Sequence, residues 1–439
     1  MAEKIKAVEL AKLQREISIS EFFTKNRHLL GFDSPRKALL TTIKEAVDNS
    51  LDACEEIGVL PDLIVKLEPT KDNRFLISVE DNGPGIVKEQ IPNIFAKLLY
   101  GSKFHRLRQS RGQQGIGISA SSMYAQLTTG KPTKITSKIS PKKPAHYYEL
   151  HIDTKKNEPE TITDKEIEWK KDHGTKVEIE LEGLYQKGKQ SVDEYLKQTA
   201  IINPHLSLTY HTPDKQIIKF PRATNELPIE PKEIRPHPYG VELGILINMA
   251  KDTKAKDMTS FLTKEFSRVS PQLAKQILEK AEISEKQHPS KLSRDEVDKL
   301  IKIIRETKIM APPTNCLSPI GEDLLSKGLQ KELNAEFYTS ITRSPAVYRG
   351  NPFLIEVAIA YGGDLSKDDL VRVLRFANKV PLLYQQSACA STRSIIQTSW
   401  KNYHLGQSRS SLPSGPVVIL IHMASAWVPF TSESKEAIA

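Results

Sequence analysis

The first strong periodicity in the chain lies between residues 35 and 57, where apolar positions recur at steps of three and four. This spacing predicts an amphipathic helix with one buried stripe. Ser34 offers an N-cap oxygen, Pro35 suits the first helical position, and Gly58 can end the helix. The positions of the predicted buried stripe are Leu40, Ile43, Val47, Leu51 and Cys54.

The opposite face of this helix carries Glu45, Asn49 and Asp52. A carboxylate and an amide therefore lie one helical turn apart. An isolated pair of this kind is more often a solvated face, because polar residues usually face water. A binding site is favoured over a solvated face only when two later segments, at residues 81–85 and 112–117, are considered with this helix.

Apolar residues alternate with more polar ones from 74 to 80, which predicts a strand. The strand runs into a turn that contains Asp81, Asn82, Gly83 and Gly85. An Asp-Asn-Gly turn alone is ordinary. The second glycine would let the backbone approach a flat ligand, and the aspartate could accept a hydrogen bond from an exocyclic amine.

A third segment places Gly112, Gly115 and Gly117 ahead of an apolar helical run. Glycines before a helix N-terminus present free amide groups to phosphate oxygens. The spacing is neither a dinucleotide fingerprint nor a P-loop, because no Lys-Ser/Thr pair follows the last glycine. Each of the three segments is weak alone, and together they predict one nucleotide pocket.

The later chain divides into two patterns. Between residues 251 and 308 three short helices are predicted, with start signals at Ser270 and Ser293. This stretch has 14 basic and 10 acidic residues, an excess that fits a DNA-binding module and a purely structural insert equally well. After Pro312, apolar strands flank a helix, which indicates a small α/β domain.

Composition narrows the class of protein. A length of 439 residues predicts two to four domains, and a net charge of +9 suits a DNA-associated protein without requiring one. Cys54, Cys316 and Cys389 lie far apart without metal spacing, which is typical of reduced thiols and predicts a cytoplasmic protein. No apolar run reaches about 18 residues, so no membrane span is predicted.

The three segments, taken in their order along the chain, resemble the Bergerat nucleotide-binding fold of the gyrase, heat-shock chaperone, histidine kinase and MutL group. They read KEAVDNSLDAC, EDNGPGI and RGQQGIGISAS. A fourth segment, HGTKVEI, matches through Gly174 and Thr175. The resemblance implies that ATP and Mg²⁺ bind here. Glu45 would be the general base that activates water, Asn49 would hold magnesium, and Asp81 would bind the adenine amine. The backbone that would wrap the phosphates is that of Gly112, Gln113, Gln114, Gly115, Ile116, Gly117, Ile118 and Ser119.

The segment between the second and third motifs, LLYGSKFHRLRQSRG, is basic and contains no acid. A charge run is usually a solvated face. Glycines at both ends favour a mobile lid over a triphosphate, whose cationic residues stabilise the closed state. The resemblance places Ser102 and Lys103 at lid positions that contact nucleotide. The basic residues in and just before this segment are Lys97, Lys103, Arg106, Arg108 and Arg111.

The rest of the sequence is similar to one branch of that group, the B-subunit family of type IIB DNA topoisomerases (topoisomerase VI), of archaeal type. The segments that carry the similarity are SISEFFTKNRHLLGF, RPHPYGVE, SPIGEDLL, SITRSPAVYRGNPF and RFANKVPLLY. The similarity implies an α+β fold in four parts. These are an N-terminal strap (1–20), a Bergerat ATPase α/β sandwich (21–235), a helix-two-turns-helix insert (236–310) and an α/β transducer domain like domain 2 of ribosomal protein S5 (311–439).

The family resemblance also implies a lysine that reaches the γ-phosphate from the second domain. Lys435 is the matching position, and Lys379 in FANKVP is the second candidate. Composition alone would make Lys435 an exposed tail residue, but the strand and loop before it favour the match. Family members continue into a helix that docks the DNA-cleaving A subunit, so the sequence is expected to stop short of that helix.

The implied function is that of an ATPase subunit in an A2B2 heterotetramer. ATP would dimerise the B subunits through residues 1–19, which are helix-prone, although a disordered tail is the alternative. Closure would capture a DNA duplex and drive it through a break made by the A subunit, relaxing and decatenating DNA. The alternative is a non-catalytic, nucleotide-responsive dimerisation scaffold, against which Glu45 argues. A histidine kinase would need a phosphoacceptor helix, which the sequence lacks.

Overall fold

The structure, a computed structural model, consists of two β-sheet parts and a helical part between them in the sequence. It describes residues 9–14, 16–102, 106–112, 115–432 and 434–439. Within the predicted strap, residues 9–13 are helical, and residues 1–8 and 15 lie outside the described residues.

An eight-stranded sheet forms the first part. Its strands are β1 (Asp62–Lys71), β2 (Arg74–Glu80), β3 (Thr133–Lys138), β4 (Ala145–Asp153), β5 (Glu158–Ile167), β6 (Gly174–Glu182), β7 (Ser207–His211) and β8 (Ile217–Phe220). They are ordered β5-β4-β3-β6-β2-β1-β7-β8. Neighbours are antiparallel except β1 and β7, which are parallel.

Helices pack on this sheet and complete its core. They are α1 (Ile19–Lys25), α2 (Pro35–Glu56), α3 (Ile91–Ala96), α4 (Gly117–Thr129) and α5 (Val192–Ile202). Helices α2 and α4 contact each other and β6. The predicted stripe of α2 is buried from Leu40 to Cys54. Each such side chain stabilises the fold by about 1.5–3 kcal/mol relative to an exposed one.

The ends of α2 follow from the residues that flank it. The Ser34 hydroxyl accepts a hydrogen bond from the Lys37 N–H, and Pro35 occupies the first turn. Gly58, just past the last turn, has a φ of +70°, a conformation that glycine adopts without steric cost. The predicted start and stop of this helix are confirmed.

The second part is all helical. Its helices are α6 (Leu243–Asp252), α7 (Met258–Glu265), α8 (Pro271–Ala281) and α9 (Arg294–Glu306). The three predicted helices α7 to α9 are confirmed, and Ser270 and Ser293 cap α8 and α9. The earlier helix α6 was not predicted, because Glu242 precedes it and makes no side-chain capping bond. The apolar core of this part extends from Val241 to Ile309. We call residues 236–310 the insert.

The third part contains a six-stranded sheet. Its helices are α10 (Glu322–Glu332) and α11 (Ala390–Gln397), and its strands are β9 (Phe337–Thr342), β10 (Ala346–Tyr348), β11 (Asn351–Tyr361), β12 (Arg372–Ala377), β13 (Val380–Pro381), β14 (Gly406–Gln407), β15 (Pro413–Ser414) and β16 (Val417–Ser425). The order is β10-β11-β16-β12-β13, with β9 also on β11, while β14 and β15 pair separately. Strands β12 and β16 are parallel.

The first and third parts share buried surface. Ile201 and Ile202 at the end of α5 belong to the same apolar cluster as Leu325 of α10 and Phe376 of β12. The described chain therefore has the predicted α+β architecture, in which the part with the eight-stranded sheet packs directly on a small α/β domain. Short 3₁₀ turns occupy Arg27–Leu30, Lys88–Gln90, Pro238–Gly240, Pro289–Lys291, Gln386–Ala388 and Trp400–Tyr403.

Candidate nucleotide site

A cavity of about 610 Å³ opens between α2, the turn after β2, the start of α4 and the C-terminal loop. Its size is in the range of pockets for small molecules and cofactors. Most of the residues predicted for the nucleotide site line it. These are Glu45, Asn49, Asp81, Ser102, Gly112, Gly115, Ile116, Gly117, Ile118, Thr175 and Lys435.

Glu45 and Asn49 project into this cavity from one face of α2, as the helical spacing predicts. The Glu45 carboxylate packs on the first residue of α4. A Cβ built on Gly117 would lie 1.9 Å from Glu45 Oε2, so no larger residue fits there without moving the carboxylate. The absence of a side chain at Gly117 thus lets the carboxylate lie close to the N-terminus of α4. The third predicted residue, Asp52, is buried and turned away from water by an ion pair with Arg111.

Asp81 lies at the floor of the cavity and is already well bonded. Its Oδ1 accepts hydrogen bonds from the N–H groups of Gly83 (2.9 Å) and Thr175 (3.0 Å), and its Oδ2 accepts one from the Ser50 hydroxyl (2.9 Å). Burial raises the pKa of this carboxyl, and the three hydrogen bonds oppose that shift. Two carboxylate oxygens offer about four acceptor positions, so one position remains for a ligand amine.

Gly85 has a structural role beside the one predicted for it. Its φ is +70°, and a Cβ built there would lie 2.1 Å from the Lys138 carbonyl oxygen at the end of β3. The glycine is therefore required by the close approach of two protein backbones. Gly85 still lines the cavity, so a ligand can lie beside it.

The loop that carries Gly112, Gly115 and Gly117, which we call the glycine loop, meets the cavity where α4 begins. Ile116 occupies the N-cap position without a side-chain capping bond, so the first amide groups of α4 face the cavity. Such a helix end attracts anions. Ser119 does not present its side chain here, because it is fully buried and its hydroxyl donates to the Ile116 carbonyl. Gln113 and Gln114 lie outside the described residues.

The basic lid segment is only partly available to a ligand. Ser102 lines the cavity, and Lys103 lies outside the described residues. Arg106 and Arg108 both form ion pairs with Glu56 at the end of α2. These two arginines therefore have protein partners in this state, whereas the sequence assigned them to a bound anion.

Arg111 is the largest departure from the predicted lid. It is 4% exposed and donates to Asp52 Oδ1 (2.8 Å), to both oxygens of Glu55 (2.7 and 3.0 Å) and to Asn203 Oδ1 (2.6 Å). His205 Nε2 lies 2.8 Å from Glu55 Oε1. Burial alone would raise the pKa of the Glu55 carboxyl, but the pairing with Arg111 and His205 holds it well below its usual range. Arg111 fixes the start of the glycine loop to α2.

Lys435 reaches the cavity from the last residues of the chain, and its Nζ lies 3.7 Å from Glu45 Oε1. Two contacts with α2 hold the loop around it. Lys44 Nζ donates to the Ser434 carbonyl (3.0 Å), and Lys37 Nζ pairs with Glu436 Oε1 (2.7 Å). The second candidate, Lys379, does not line the cavity; its Nζ donates to the Ser318 hydroxyl.

The apolar part of the cavity was not predicted. It includes Ile86, Ile94, Phe95 and Val177, on which a flat ring could lie. Ile86 directly follows the turn glycine and Val177 lies in the strand that begins at Gly174, so proximity to the motifs was the available signal. The Arg111 contacts with Glu55, Asn203 and Asp52 join three separate segments, and no local pattern marks them.

The protein offers only some of the ligands that a magnesium ion would need here. No group of three or more His, Cys, Asp or Glu side chains suited to a metal occurs among the described residues. Asn49 offers one oxygen, and a Cβ on Gly112 would lie 3.8 Å from it, so this oxygen faces the glycine loop. Mg²⁺ commonly takes one or two protein ligands and completes its shell with phosphates and water. The residues present fit that mode of binding.

Comparisons with known proteins agree with this geometry. Residues 35–183 match the model of histidine kinase-, DNA gyrase B- and HSP90-like ATPases, and residues 312–439 match the transducer of the topoisomerase VI B subunit. The type 2 DNA topoisomerase 6 B subunit of Methanococcoides burtonii is 56% identical over 434 residues, which are 99% of this chain and 70% of that protein. The Archaeoglobus fulgidus protein is 53% identical over 97% of this chain and 70% of its own length.

The chain belongs to the B-subunit family of type 2 DNA topoisomerase 6. It is therefore an ATP-hydrolysing topoisomerase subunit with the Bergerat ATPase fold and a transducer domain, and the resemblance predicted from the motifs is confirmed. The solved ATPase region of Saccharomyces cerevisiae topoisomerase II aligns over 98% of this chain and 90% of its own, with 11% identity and a TM-score of 0.49. Among the described helices, none is both long and apolar enough to cross a membrane.

Proposed function

We propose that ATP binding in the cavity closes a dimer of this subunit around a DNA duplex, and that hydrolysis reopens it. The observation that carries the proposal is the meeting of Glu45 and Lys435 over the N-terminus of α4. These two residues come from α2 and from the end of the second sheet domain. A ligand that contacts both therefore makes the relation between the two parts depend on its own chemical state.

Each residue at the cavity has a role that its position supports. Asp81 accepts a hydrogen bond from the adenine amine, and the apolar residues around it receive the ring. The free amides from Gly115 to Ile118 bind the phosphates. Glu45 orients the attacking water and accepts its proton. Asn49 would hold magnesium, which when bound would neutralise charge on the phosphoryl oxygens.

Lys435 links hydrolysis to movement. Its ammonium group contacts the γ-phosphate, so the attraction disappears when that phosphate leaves. Lys44 and Lys37 hold the Lys435 loop on α2 through Ser434 and Glu436, which keeps the lysine close to the site. When the γ-phosphate leaves, the transducer loses one contact with the nucleotide, so a change in its angle costs less energy, while Lys44 and Lys37 keep the loop near α2.

The partners of the reaction are a second copy of this chain, double-stranded DNA and the A subunit of a type IIB topoisomerase. The contact between the two copies uses the N-terminal segment 1–20. The A subunit makes the break through which the captured duplex passes, in an A2B2 assembly that relaxes and decatenates DNA. The name of the relatives, which are B subunits of a type 2 topoisomerase, supports this assignment.

The first test is the oligomeric state by light scattering with Mg²⁺ and a non-hydrolysable ATP analogue, and with ADP. We expect dimers with the analogue and monomers with ADP. Asp81→Asn is the matched control, since it removes an acceptor for the adenine amine and should stay monomeric with both nucleotides. A protein that is indifferent to all nucleotides would contradict the gate.

The second test separates binding from hydrolysis. Glu45→Gln keeps the size of the side chain and removes the base, so analogue-dependent dimerisation should persist while turnover falls by about 10²–10⁴-fold. ATP hydrolysis is followed by phosphate release at saturating ATP. Turnover equal to that of the unmodified protein would remove Glu45 from the mechanism.

A further inference from the structure

Lys379 occupies a backbone position that is unfavourable for lysine. It is the second residue of the two-residue turn between β12 and β13, where Ala377 pairs with Val380. Asn378 and Lys379 have φ values of +48° and +64°. Tight hairpins with both φ values positive favour Asn-Gly, because glycine has no Cβ to strain. The turn has the expected asparagine and a lysine in place of the glycine.

The side chain of Lys379 is also buried. The residue is 5% exposed, and its Nζ donates to the Ser318 hydroxyl at 2.8 Å. Burial lowers the pKa of this lysine to about 8, against the attraction of Glu55 and Glu356, while Arg111 adds repulsion. A buried ammonium and a strained backbone both destabilise the fold. Glycine would avoid both, so stability does not explain the lysine.

The turn holds the segment that leads into the glycine loop. Asn378 Nδ2 donates to the Ser110 carbonyl at 3.0 Å. The Lys379 carbonyl accepts from Asn203 Nδ2 at 3.3 Å, and the same asparagine accepts from Arg111. Two consecutive residues ahead of Gly112 are thus fixed by the turn, one directly and one through Asn203.

Ser318, the partner of the Lys379 ammonium group, binds Gln109, the residue before Ser110 and Arg111. Ser318, which accepts from Lys379, donates its N–H to Gln109 Oε1 (2.7 Å), and its carbonyl accepts from Gln109 Nε2 (3.2 Å). The Gln109 N–H also donates to the Cys316 carbonyl at 2.9 Å. The Lys379 ammonium group therefore links the turn, which binds Ser110 and, through Asn203, Arg111, to Ser318, which binds Gln109. Residues 109–111 lie immediately before Gly112, the first cavity-lining glycine of the loop.

We propose that Lys379 is a positioning residue of the ATPase reaction, whose ammonium group holds residues 109–111 so that the glycine loop faces the phosphates. This rests on the proposed function, in which that loop binds the nucleotide. Lys379 itself touches neither the cavity nor the nucleotide. Its ammonium group acts on the site through Ser318 and Gln109, whereas Asn378 binds Ser110 through its own side chain.

The decisive variant is Lys379→Gly, which removes the ammonium group and also relieves the turn. We expect its thermal unfolding temperature to equal or exceed that of the unmodified protein, because strain and a buried charge are both removed. We expect its affinity for a non-hydrolysable ATP analogue, measured by calorimetry, to fall about tenfold. Lys379→Met keeps the length of the side chain without its charge and should show the same loss of affinity.

Lys215→Gly is the matched control. Lys215 has a φ of +61° but is exposed in the turn between β7 and β8. The same chemical change there should leave analogue affinity unaltered. Analogue binding by Lys379→Gly and Lys379→Met equal to that of the unmodified protein would overturn the proposal. A clear drop in the unfolding temperature of Lys379→Gly would overturn it as well, since the lysine would then be structural. If the unmodified protein binds no analogue, the proposed function fails first.

Discussion

The insert and the contact between the two sheet parts are built in opposite ways. Within residues 236–310, all of which the structure describes, no Asp, Glu, Lys or Arg is buried. The contact between the two sheet parts, which we call the junction, is rich in charge. It joins α2, α5 and residues 108–112 to residues 316–321, 375–385, 431–432 and 434–439. The buried charged residues at the junction and the adjoining cavity and sheet are Lys44, Asp48, Asp52, Asp81, Arg111, Glu356, Arg375, Lys379, Lys435 and Glu436.

This difference indicates what each region is for. Apolar residues stabilise a fold at no desolvation penalty, whereas a buried ion pair often contributes no more than an apolar pair of the same shape. A region that only had to be stable would resemble the insert. Charged groups with directional hydrogen bonds instead favour one geometry. Their contribution to stability falls steeply when that geometry changes. The junction therefore fits the transmission of nucleotide state that we propose, and the insert fits a structural part with an apolar core.

The largest effect is expected from breaking the junction at Arg111. Arg111→Met removes the guanidinium that pairs with the buried carboxylate of Asp52 and the partly buried carboxylate of Glu55, which should lower the free energy of unfolding by about 3–5 kcal/mol. The measurement is the denaturant midpoint at pH 7. Arg305→Met is the control, because Arg305 is exposed on α9 and should change stability by less than about 0.5 kcal/mol. Equal midpoints for the two variants would mean that the junction charges contribute no stability.

A somewhat smaller effect is expected in the core of the insert. Leu300 is completely buried on α9 among Val297 and Ile304. Leu300→Ala should lower the free energy of unfolding by about 3 kcal/mol through lost burial and the cavity left behind. Because the insert contributes no residue to the nucleotide cavity, analogue affinity should not change. A loss of affinity would contradict the separation of the two regions.

Local sequence signals were sufficient for α2 and for the insert helices α7, α8 and α9. Ser34, Ser270 and Ser293 each cap a helix, as their position before an apolar run predicts. The three- and four-residue spacing identified the buried face of α2. These features depend on residues within one or two turns of each other, so the sequence carries them directly. Helix α6 was missed because it lacks a capping side chain.

The junction could not be derived in the same way. Arg111 was assigned to the lid because it ends a basic run, yet its partners lie on α2 and after α5. Lys379 was considered for the γ-phosphate, yet it bonds to Ser318. Contacts between residues far apart in sequence leave no periodicity. Only the resemblance to a family placed Lys435 near Glu45, and the spacing of residues alone did not.

A moderate, pH-dependent effect is expected at Glu356. Its carboxylate accepts from His422 Nδ1 and from the N–H groups of Ile320 and Gly321. Burial would raise its pKa, but these hydrogen bonds outweigh burial and hold the pKa at about 2. The Lys379 N–H donates to His422 Nε2, so the ring is neutral with its hydrogen on Nδ1, and burial lowers its pKa.

The sign of the pH effect is the same for both groups. Below pH 6.5 the unfolded chain protonates the histidine, and from about pH 4.5 downward it protonates the glutamate, while the folded protein resists both. Stability is therefore full at neutral pH and falls as pH is lowered toward 2. Glu356→Gln should lose about 2 kcal/mol at pH 7 and show a flatter decline between about pH 4.5 and 2, measured by denaturation at several pH values. An unchanged slope would exclude Glu356 as the source.

The smallest effect is expected at the ion pair between Lys37 and Glu436, beside the Lys435 loop. Lys37 Nζ also lies 3.4 Å from Asp33 Oδ1 and 5.0 Å from the centre of the Tyr384 ring. The Lys37 side chain is 19% exposed and shares its charge with Asp33, so its pair with Glu436 should contribute about 1 kcal/mol. Glu436→Lys should weaken analogue binding a few fold, because two like charges push the loop that carries Lys435 away from α2. Adding Lys37→Glu should restore part of the affinity, although Asp33 then repels the new carboxylate. If the double variant binds no better than Glu436→Lys alone, the two side chains are not coupled, and the Lys435 loop is held by Lys44 and the backbone of Ser434 instead.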